Sequence, residues 1–297
     1  MDLLRLALER GATAEQAVEV IVELLERHGQ VGPCSHEHPS FTYHNSFLVA
    51  DRDGAIVLET AGRQWATETV TGRARSISNG LTIPGFAEKF RDPLRGRVAG
   101  CAVRRELTER LAAGAVEVTD MTEILRDNGT GGAPRWSWVN GSMRGPNMHA
   151  GGRVAASQTV ASWVADLRAE PLHWTTATAD PALSLFKPVW VGRPADLGPA
   201  PTNGYDEATV WWRHEMLHRL ALRDWARALE IGLPARRSVE AEWLAGPPDT
   251  AAAFARAGRV ETEWLAALRA ADLSETRPRW LRRVWSGYDR AARRDEA

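Results

Sequence analysis

Residues 214–218 have the residue types and the spacing of a zinc site. His214, Glu215 and His218 satisfy the pattern H-E-x-x-H, which on a helix places two imidazoles on one face with a carboxylate beside them, as zinc peptidases require. A zinc site also needs a third protein ligand, and no histidine follows His218. The candidates are glutamates further along the chain: Glu230, Glu240 and Glu242.

The same motif also fits a helix that packs against a core. Both histidines share one helical stripe with Trp211, Ala221 and Trp225. Glu215 and Arg219 have the i, i+4 spacing of an ion pair on another face. The sequence therefore favours packing as the role of the two histidines, and the purified protein is expected to carry no stoichiometric zinc.

A second group of potentially reactive or metal-binding residues lies in one loop, where Cys34, His36 and His38 follow one another closely. They could hold a metal or pair a thiol with an imidazole. A nucleophilic cysteine, however, needs a lowered pKa and a placed base, which such a loop does not supply by itself. A solvated loop is the favoured interpretation. With Cys101 as the second cysteine, the chain has no disulfide framework, which indicates a reducing, cytoplasmic compartment.

Composition excludes several classes of partner. The chain has 37 Lys and Arg against 38 Asp and Glu, so no basic field favours nucleic acid. No stretch is long and apolar enough to span a membrane. The glycine-rich residues 128–152 lack the G-K-[ST] ending of a phosphate loop, so no nucleotide cofactor is indicated. The 13 tryptophans are expected mainly in the core.

The elements that must position these residues are helices and short strands in separate blocks. Residues 1–29 predict two helices, the second with Thr13 and Gln16 as a capping pair and Gly29 as its end. A meander of about four antiparallel strands is predicted next. The strand-like runs are at 45–50, 55–60, 64–70 and 73–78, with a hairpin turn at 51–54.

From residue 104 onward, helices and strands are again predicted in separate blocks. Residues 104–113 and 121–127 predict helices, the latter with Asp120 and Glu123 as a capping pair. Residues 128–152 are irregular, 158–167 and 172–190 are strand-like, and the chain is helical from residue 205. This order indicates an α+β layered fold rather than alternating parallel βαβ units.

Several segments together resemble the secernin and bacterial cysteine dipeptidase family. The passages are YHNSFLVAD at 43–51, LETAGRQWA at 58–66, RSISNGLTI at 75–83, MTEILRD at 121–127, MHAGG at 148–152, SQTV at 157–160, LFKPV at 185–189 and WWRHEMLHR at 211–219. Each piece is weak alone, but the combination in this order is specific. Because the H-E-x-x-H run belongs to these segments, the resemblance argues further against zinc.

The resemblance implies a four-layer αββα sandwich of the N-terminal-nucleophile hydrolases, in residues 1–200, with a helical extension in 201–297. It implies hydrolysis of dipeptides by an amino-terminal cysteine, without a metal or organic cofactor. In the family that cysteine lies in an opening segment, and this sequence resembles the part that follows it, so the segment is expected to be missing here. Cys34 matches a loop cysteine and does not inherit the role.

Two alternatives remain beside the dipeptidase. The chain could be an inactive family member kept as an interaction protein, or a zinc metallopeptidase using His214, Glu215 and His218. The expected partner of the enzyme is a dipeptide or small amide, and the oligomeric state is left open.

Three residues are candidates for a dipeptidase site. By the resemblance, Asn79 follows a Glu-containing strand, where its amide could donate to the oxyanion of the tetrahedral intermediate. The other interpretation is that Asn79 only forms a tight turn before Gly80. Arg73 and Arg75 lie on the approach to Asn79 and could bind the carboxylate of a dipeptide, or could be solvated strand residues.

Overall fold

A computed structural model describes residues 2–30, 34, 42–168 and 172–293 of the chain. These residues form two compact units, Met1–Gly114 and Ala115–Ala297, hereafter unit 1 and unit 2. Helices and antiparallel strands occur in both units, so the fold class is α+β, as expected. The expected division at residue 200 stays a prediction.

Unit 1 begins with two helices, continues with a three-stranded sheet and ends with three helices. Its elements are α1 (Asp2–Arg10), α2 (Ala14–His28), β1 (Asn45–Ala50), β2 (Ala55–Ala61), β3 (Gln64–Thr69), α3 (Phe86–Phe90), α4 (Pro93–Ala99) and α5 (Cys101–Ala112). Both opening helices, the first three strands and the helix near residues 104–113 were predicted, and the structure confirms them.

Helix α2 shows why these local predictions succeed. The side chain of Thr13 accepts a hydrogen bond from the backbone N–H of Gln16, and Gly29 ends the helix with a φ of 74°. Such caps satisfy backbone groups that have no partner inside the helix. Ile21 packs with Leu58 of β2 in one core cluster, so the apolar stripe of α2 covers one face of the sheet.

The sheet has the order β1-β2-β3, with β2 in its centre. Asp51 fixes the first hairpin, because its Oδ1 accepts from the backbone N–H groups of Asp53 and Gly54. Successive residues of β2 point to opposite faces. Leu58 joins the core under α2, whereas Val57 joins a second cluster with Ile83 and Phe86. Strand β2 is therefore buried on both faces.

The prediction of a fourth strand at residues 73–78 is wrong. The segment forms no ladder with β3, and its backbone makes only an isolated bridge between Ser78 and Gly80. The physical reason lies in its side chains: Arg75 binds Glu68 and Thr82, and Ser76 contacts Thr108, 2.5 Å between the two hydroxyl oxygens. These tertiary contacts hold an irregular path in place of strand pairing.

Unit 2 combines a small sheet with long helices. Its elements are α6 (Val118–Leu125), β4 (Trp163–Ala165), β5 (Leu172–Thr175), β6 (Lys187–Trp190), α7 (Val210–Ala221), α8 (Trp225–Ala245), α9 (Thr250–Ala270) and α10 (Arg279–Ala291). The strands pair antiparallel in the order β4-β5-β6. The irregular segment at 128–152 is confirmed, and so are the helices predicted after residue 205, which are α7–α10.

Helix α6 begins earlier than predicted. Its N-cap is Glu117, and Asp120 accepts hydrogen bonds from the backbone N–H groups of Val116 and Glu117. The predicted pairing of Asp120 with Glu123 is therefore wrong. Asp120 occupies the third helical position, where its carboxylate reaches back to the start of the helix.

Tryptophans form much of the core of unit 2. Trp225, Trp264 and Trp285 are buried together with Leu217 and Leu281 of neighbouring helices. This matches the expectation that the many tryptophans serve mainly as core residues, although Trp65, Trp138 and Trp163 are exposed. No helix in the described part of the chain is both long and apolar enough to cross a membrane.

Candidate functional site

A cleft of about 670 Å³ in unit 1 is lined by one of the predicted site residues, Arg75, and by the chain neighbours of the other two, Arg73 and Asn79. Its walls include the segment that precedes α3 and the first turns of α5. The volume lies within the usual range for sites that bind small molecules. The charged residues that line it have both signs: Glu68, Arg75, Glu88, Arg91, Arg105, Glu106 and Glu109.

The buried carboxylate of Glu59 fixes one wall of this cleft. Glu59 lies on β2 with no exposed surface. Its Oε1 accepts from the backbone N–H and the hydroxyl of Thr82, at 2.5 and 2.8 Å, and its Oε2 accepts from the backbone N–H of Ile83 at 3.0 Å. A buried charge is tolerated when it is hydrogen-bonded in this way. Glu59 thus ties residues 82–83 to the central strand.

We expect Glu59→Gln to lower the free energy of unfolding of the protein by about 2–4 kcal/mol, since bonds to a charged group contribute about 1.5–3 kcal/mol and a buried N–H loses its acceptor. Glutamine has one oxygen, so its NH₂ group would face a backbone N–H. Urea denaturation measures the change. Glu19→Gln on the exposed face of α2 is the matched control and should change stability by less than about 0.5 kcal/mol. Equal effects for the two variants would contradict this role.

Asn79 lies at the tip of a three-residue turn beside the cleft. The backbone N–H of Gly80 donates to the carbonyl of Ser78 at 2.8 Å, which closes the turn around Asn79. The Oδ1 of Asn79 accepts from Nη2 of Arg104 at 2.9 Å, and the same nitrogen donates to the hydroxyl of Ser78. Asn79 itself is exposed, while Arg104 is buried. The guanidinium therefore orients the amide and engages its oxygen rather than its nitrogen.

The reason for glycine at position 80 is steric. Among the described residues with positive φ, neither Asn79 nor Gly80 appears, so this turn does not use the left-handed conformation for which Asn-Gly pairs are favoured. A Cβ on Gly80 would instead lie 2.9 Å from Sγ of Cys101. Cys101 is buried at the start of α5 and donates to the carbonyl of Gly96. Close packing of Cys101 thus accounts for the glycine.

The two predicted arginines differ in their surroundings. Arg75 lines the cleft, but its Nε and Nη2 already donate to both carboxylate oxygens of Glu68, at 2.8 and 3.1 Å. A substrate carboxylate would have to compete with Glu68 for this guanidinium. Arg73 is exposed on the segment that leads into the cleft wall, so of the two it is the more accessible to an anionic group.

In unit 2 the H-E-x-x-H residues do not face one common point. Nδ1 of His214 lies 3.2 Å from Oε1 of Glu261, whereas Nδ1 of His218 lies 3.1 Å from Oε2 of Glu215. The carboxylate beside His214 is none of the three glutamates considered from sequence. Among described residues, the motif's own His-Glu-His set does not bring its ligand atoms within 4.8 Å of one another. This geometry does not support a zinc peptidase centre at the motif.

The expected ion pair on this helix is confirmed. Nε of Arg219 lies 2.8 Å from Oε1 of Glu215, and Arg219 also binds Asp289 at 2.6 Å. Glu215 is almost completely buried. Although burial opposes the charged form, His218 and Arg219 together hold the pKa of Glu215 down, at about 2. Glu215 is therefore an ionised anchor of the helix.

His218 instead belongs to a buried polar cluster that the sequence alone did not reveal. Its Nε2 lies 3.3 Å from Nδ1 of His149 and 3.9 Å from Oδ2 of Asp180. Nε2 of His149 lies 2.8 Å from Oδ1 of Asn128. His149 falls within one of the passages used for the family resemblance, but nothing in the sequence linked it or Asp180 to α7.

Burial and neighbouring charges act in opposite directions on the two histidines. Burial lowers the pKa of His149 to about 4. Burial also opposes the charged form of His218, but the carboxylates of Glu215 and Asp180 outweigh it and raise the pKa of His218 above its ordinary value. Two imidazoles of the same cluster thus differ in their preference for a proton.

The loop cysteine is described only in part. Cys34 is exposed, whereas His36 and His38 lie outside the described residues. Their predicted proximity therefore stays a prediction.

Comparison with known proteins assigns the chain to no family. The chain matches no family model, and no solved structure matches it. Its function must be inferred from the residues themselves.

Proposed function

We propose that this chain is a secernin-like cysteine dipeptidase of the N-terminal-nucleophile class, with the αββα sandwich of that class, and that its substrate binds in the unit 1 cleft. The motif resemblance supports the class of enzyme. The observation that carries the proposal is the exposed amide of Asn79, held by the buried Arg104 beside a cleft of about 670 Å³.

The charge pattern of the cleft suits a dipeptide. A free dipeptide carries an ammonium group at one end and a carboxylate at the other. The cleft offers carboxylates, such as Glu106, and guanidinium groups, such as Arg91. Arg73, exposed on the approach, is a further candidate to bind the substrate carboxylate.

In this mechanism Asn79 acts on the carbonyl oxygen of the scissile bond. The thiolate of an amino-terminal cysteine attacks the carbonyl carbon, and the cysteine's own α-amino group takes up the thiol proton. Negative charge then develops on the carbonyl oxygen, and the Nδ2 group of Asn79 donates a hydrogen bond to it. Because Arg104 engages Oδ1, Nδ2 is the atom of the amide left to serve the substrate.

Neither cysteine of this chain fits the role of nucleophile. Cys34 and Cys101 lie inside the sequence, so neither carries the free α-amino group that the mechanism needs. Cys101 is also buried.

We therefore expect the chain as given to hydrolyse no dipeptide, and hydrolysis to require an amino-terminal cysteine joined ahead of residue 2. The measurement is release of free amino acids from dipeptides by three proteins: this chain, a version extended at its amino terminus to a cysteine encoded in frame, and that version with the added cysteine replaced by alanine. Activity only in the second would support the proposal. Equal turnover by the first and second, abolished by Cys34→Ala, would make Cys34 the nucleophile and overturn it.

A further inference from the structure

We propose that His149, Asp180 and His218 form a buried binding site for one divalent transition metal, with zinc as the best fit. The three residues are the one group of potential ligands within the described residues whose donor atoms all lie within 4.8 Å of one another. The site lies wholly in unit 2 and differs from the H-E-x-x-H site considered from sequence, since it uses His218 but not His214. It goes beyond the proposed dipeptidase function.

One separation of the donor atoms matches a tetrahedral ion, a second is slightly longer, and all three lie within 4.8 Å. Zinc binds imidazole nitrogen and carboxylate oxygen at about 2.0–2.2 Å, which in a tetrahedron places neighbouring ligand atoms roughly 3.3–3.6 Å apart. Nδ1 of His149 and Nε2 of His218 are 3.3 Å apart, and Nε2 of His218 and Oδ2 of Asp180 are 3.9 Å apart. Small side-chain adjustments suffice to close the site around an ion, and a water can complete the coordination.

The hydrogen bonds of the cluster leave a lone pair on each of the two ring nitrogens that face each other. Nδ2 of Asn128 donates to the carbonyl of Gly132 at 2.8 Å, so its Oδ1 is the atom that faces His149. Nε2 of His149 must therefore carry the hydrogen, which leaves a lone pair on Nδ1. Likewise the carboxylate of Glu215 requires a hydrogen on Nδ1 of His218, and Nε2 of His218 faces inward.

These outer contacts are those that metal-binding histidines usually have. A histidine ligand generally donates its other ring N–H to a carboxylate or a carbonyl oxygen, which fixes the ring and its tautomer. Glu215 serves His218 in this way, and Asn128 serves His149. Trp225 and Trp285 flank the two imidazoles, and the cluster is buried away from bulk solvent.

The third ligand is Asp180, which has one carboxylate oxygen without a hydrogen bond. Its Oδ1 accepts from Nδ2 of Asn147 and from the backbone N–H of Ala182. Its Oδ2 is buried without a hydrogen-bond partner. Buried carboxylate oxygens are normally satisfied, and an unsatisfied one calls for a specific explanation. A metal ion would pair this oxygen.

The competing occupant is a proton on His218. A protonated Nε2 could donate to Nδ1 of His149, but at 3.9 Å it leaves Oδ2 of Asp180 without a hydrogen bond. A metal ion engages all three donor atoms at once. Since the ligands are at most 1% exposed, we expect the ion to stabilise unit 2 rather than to meet a substrate.

The test uses the whole chain without a histidine tag. We expect elemental analysis to find about one zinc per chain, in place of the zinc-free protein expected from the H-E-x-x-H motif alone. After removal of the metal with a chelator, zinc sulfate at about 100 times the dissociation constant should raise the Tm by roughly 5–10 °C, as follows for a ligand that binds only the folded state. Magnesium sulfate should have no such effect, because magnesium prefers oxygen ligands.

Three variants distinguish this site from the motif. Asp180→Asn, nearly isosteric, and His149→Gln should lose the bound zinc and the Tm response. His214→Gln, the matched control on the same helix, should keep both. Absence of bound zinc together with no Tm response of the unaltered chain would overturn the proposal. So would zinc that survives Asp180→Asn and His149→Gln, or that is lost only with His214→Gln.

Discussion

Asn79→Ala should lower kcat for dipeptide hydrolysis by about 100- to 1000-fold, the usual cost of losing one oxyanion donor, with little change in KM. The protein to use is the version with an amino-terminal cysteine. The small effect on KM follows because the hydrogen bond strengthens only as charge develops on the carbonyl oxygen. Steady-state kinetics on one dipeptide gives both constants.

Asn79→Asp is the matched control that separates catalysis from turn formation. Aspartate keeps the oxygen that accepts from Arg104 and also favours tight turns, but it lacks the Nδ2 donor. If Asn79 donates to the oxyanion, the aspartate variant should be at least as impaired as the alanine variant. Near-normal turnover by folded Asn79→Asp would assign the residue to the turn alone.

Gly232→Ala should lower the free energy of unfolding by about 3 kcal/mol or more, the upper part of the range for overpacking a core. Gly232 is buried within α8, and a Cβ at this position would overlap the indole ring of Trp264 on α9. The indole cannot move aside freely, because its Nε1 donates to the carbonyl of Ala228 at 2.9 Å. For about 3 kcal/mol the expected drop in Tm is roughly 6–12 °C.

Gly258→Ala in α9 is the control, because it makes the same chemical change in open space. No atom lies within 4 Å of a Cβ placed on Gly258. Alanine forms helices better than glycine, so this variant should gain about 0.4–1 kcal/mol. The two substitutions should thus have opposite signs in urea denaturation. A neutral Gly232→Ala would show that α8 and α9 approach less closely than described.

Local patterns predicted the elements whose stabilising contacts are themselves local. Helix α2 begins after its N-cap Thr13 and ends at Gly29, as expected, and Asp51 closes the first hairpin. The pairing of Glu215 with Arg219 followed from their spacing on a helix. In each case the interacting groups are at most four residues apart, so helical or strand periodicity places them.

Segments without such local contacts were predicted less well. Residues 73–78 have strand-like composition, yet Arg75 and Ser76 make tertiary contacts in place of a ladder. Strand propensity depends on what a segment packs against, and the sequence does not contain that information locally. The exposure of Asn79 beside a cleft is known only from the path of this segment.

The sequence by itself determined the α+β class, the amphipathic helices, the tryptophan-rich core and the presence of two histidines on one face of α7. Only the tertiary structure decided what those histidines meet. His149 lies 69 residues before His218, in a segment without periodicity, and Asp180 adopts a left-handed φ of 52° in a loop. No repeat or capping pattern in the sequence predicts where His149 or Asp180 lies in the fold. Packing of unit 2 brings both residues to His218, because most buried polar groups are paired with partners that folding, rather than sequence spacing, places nearby.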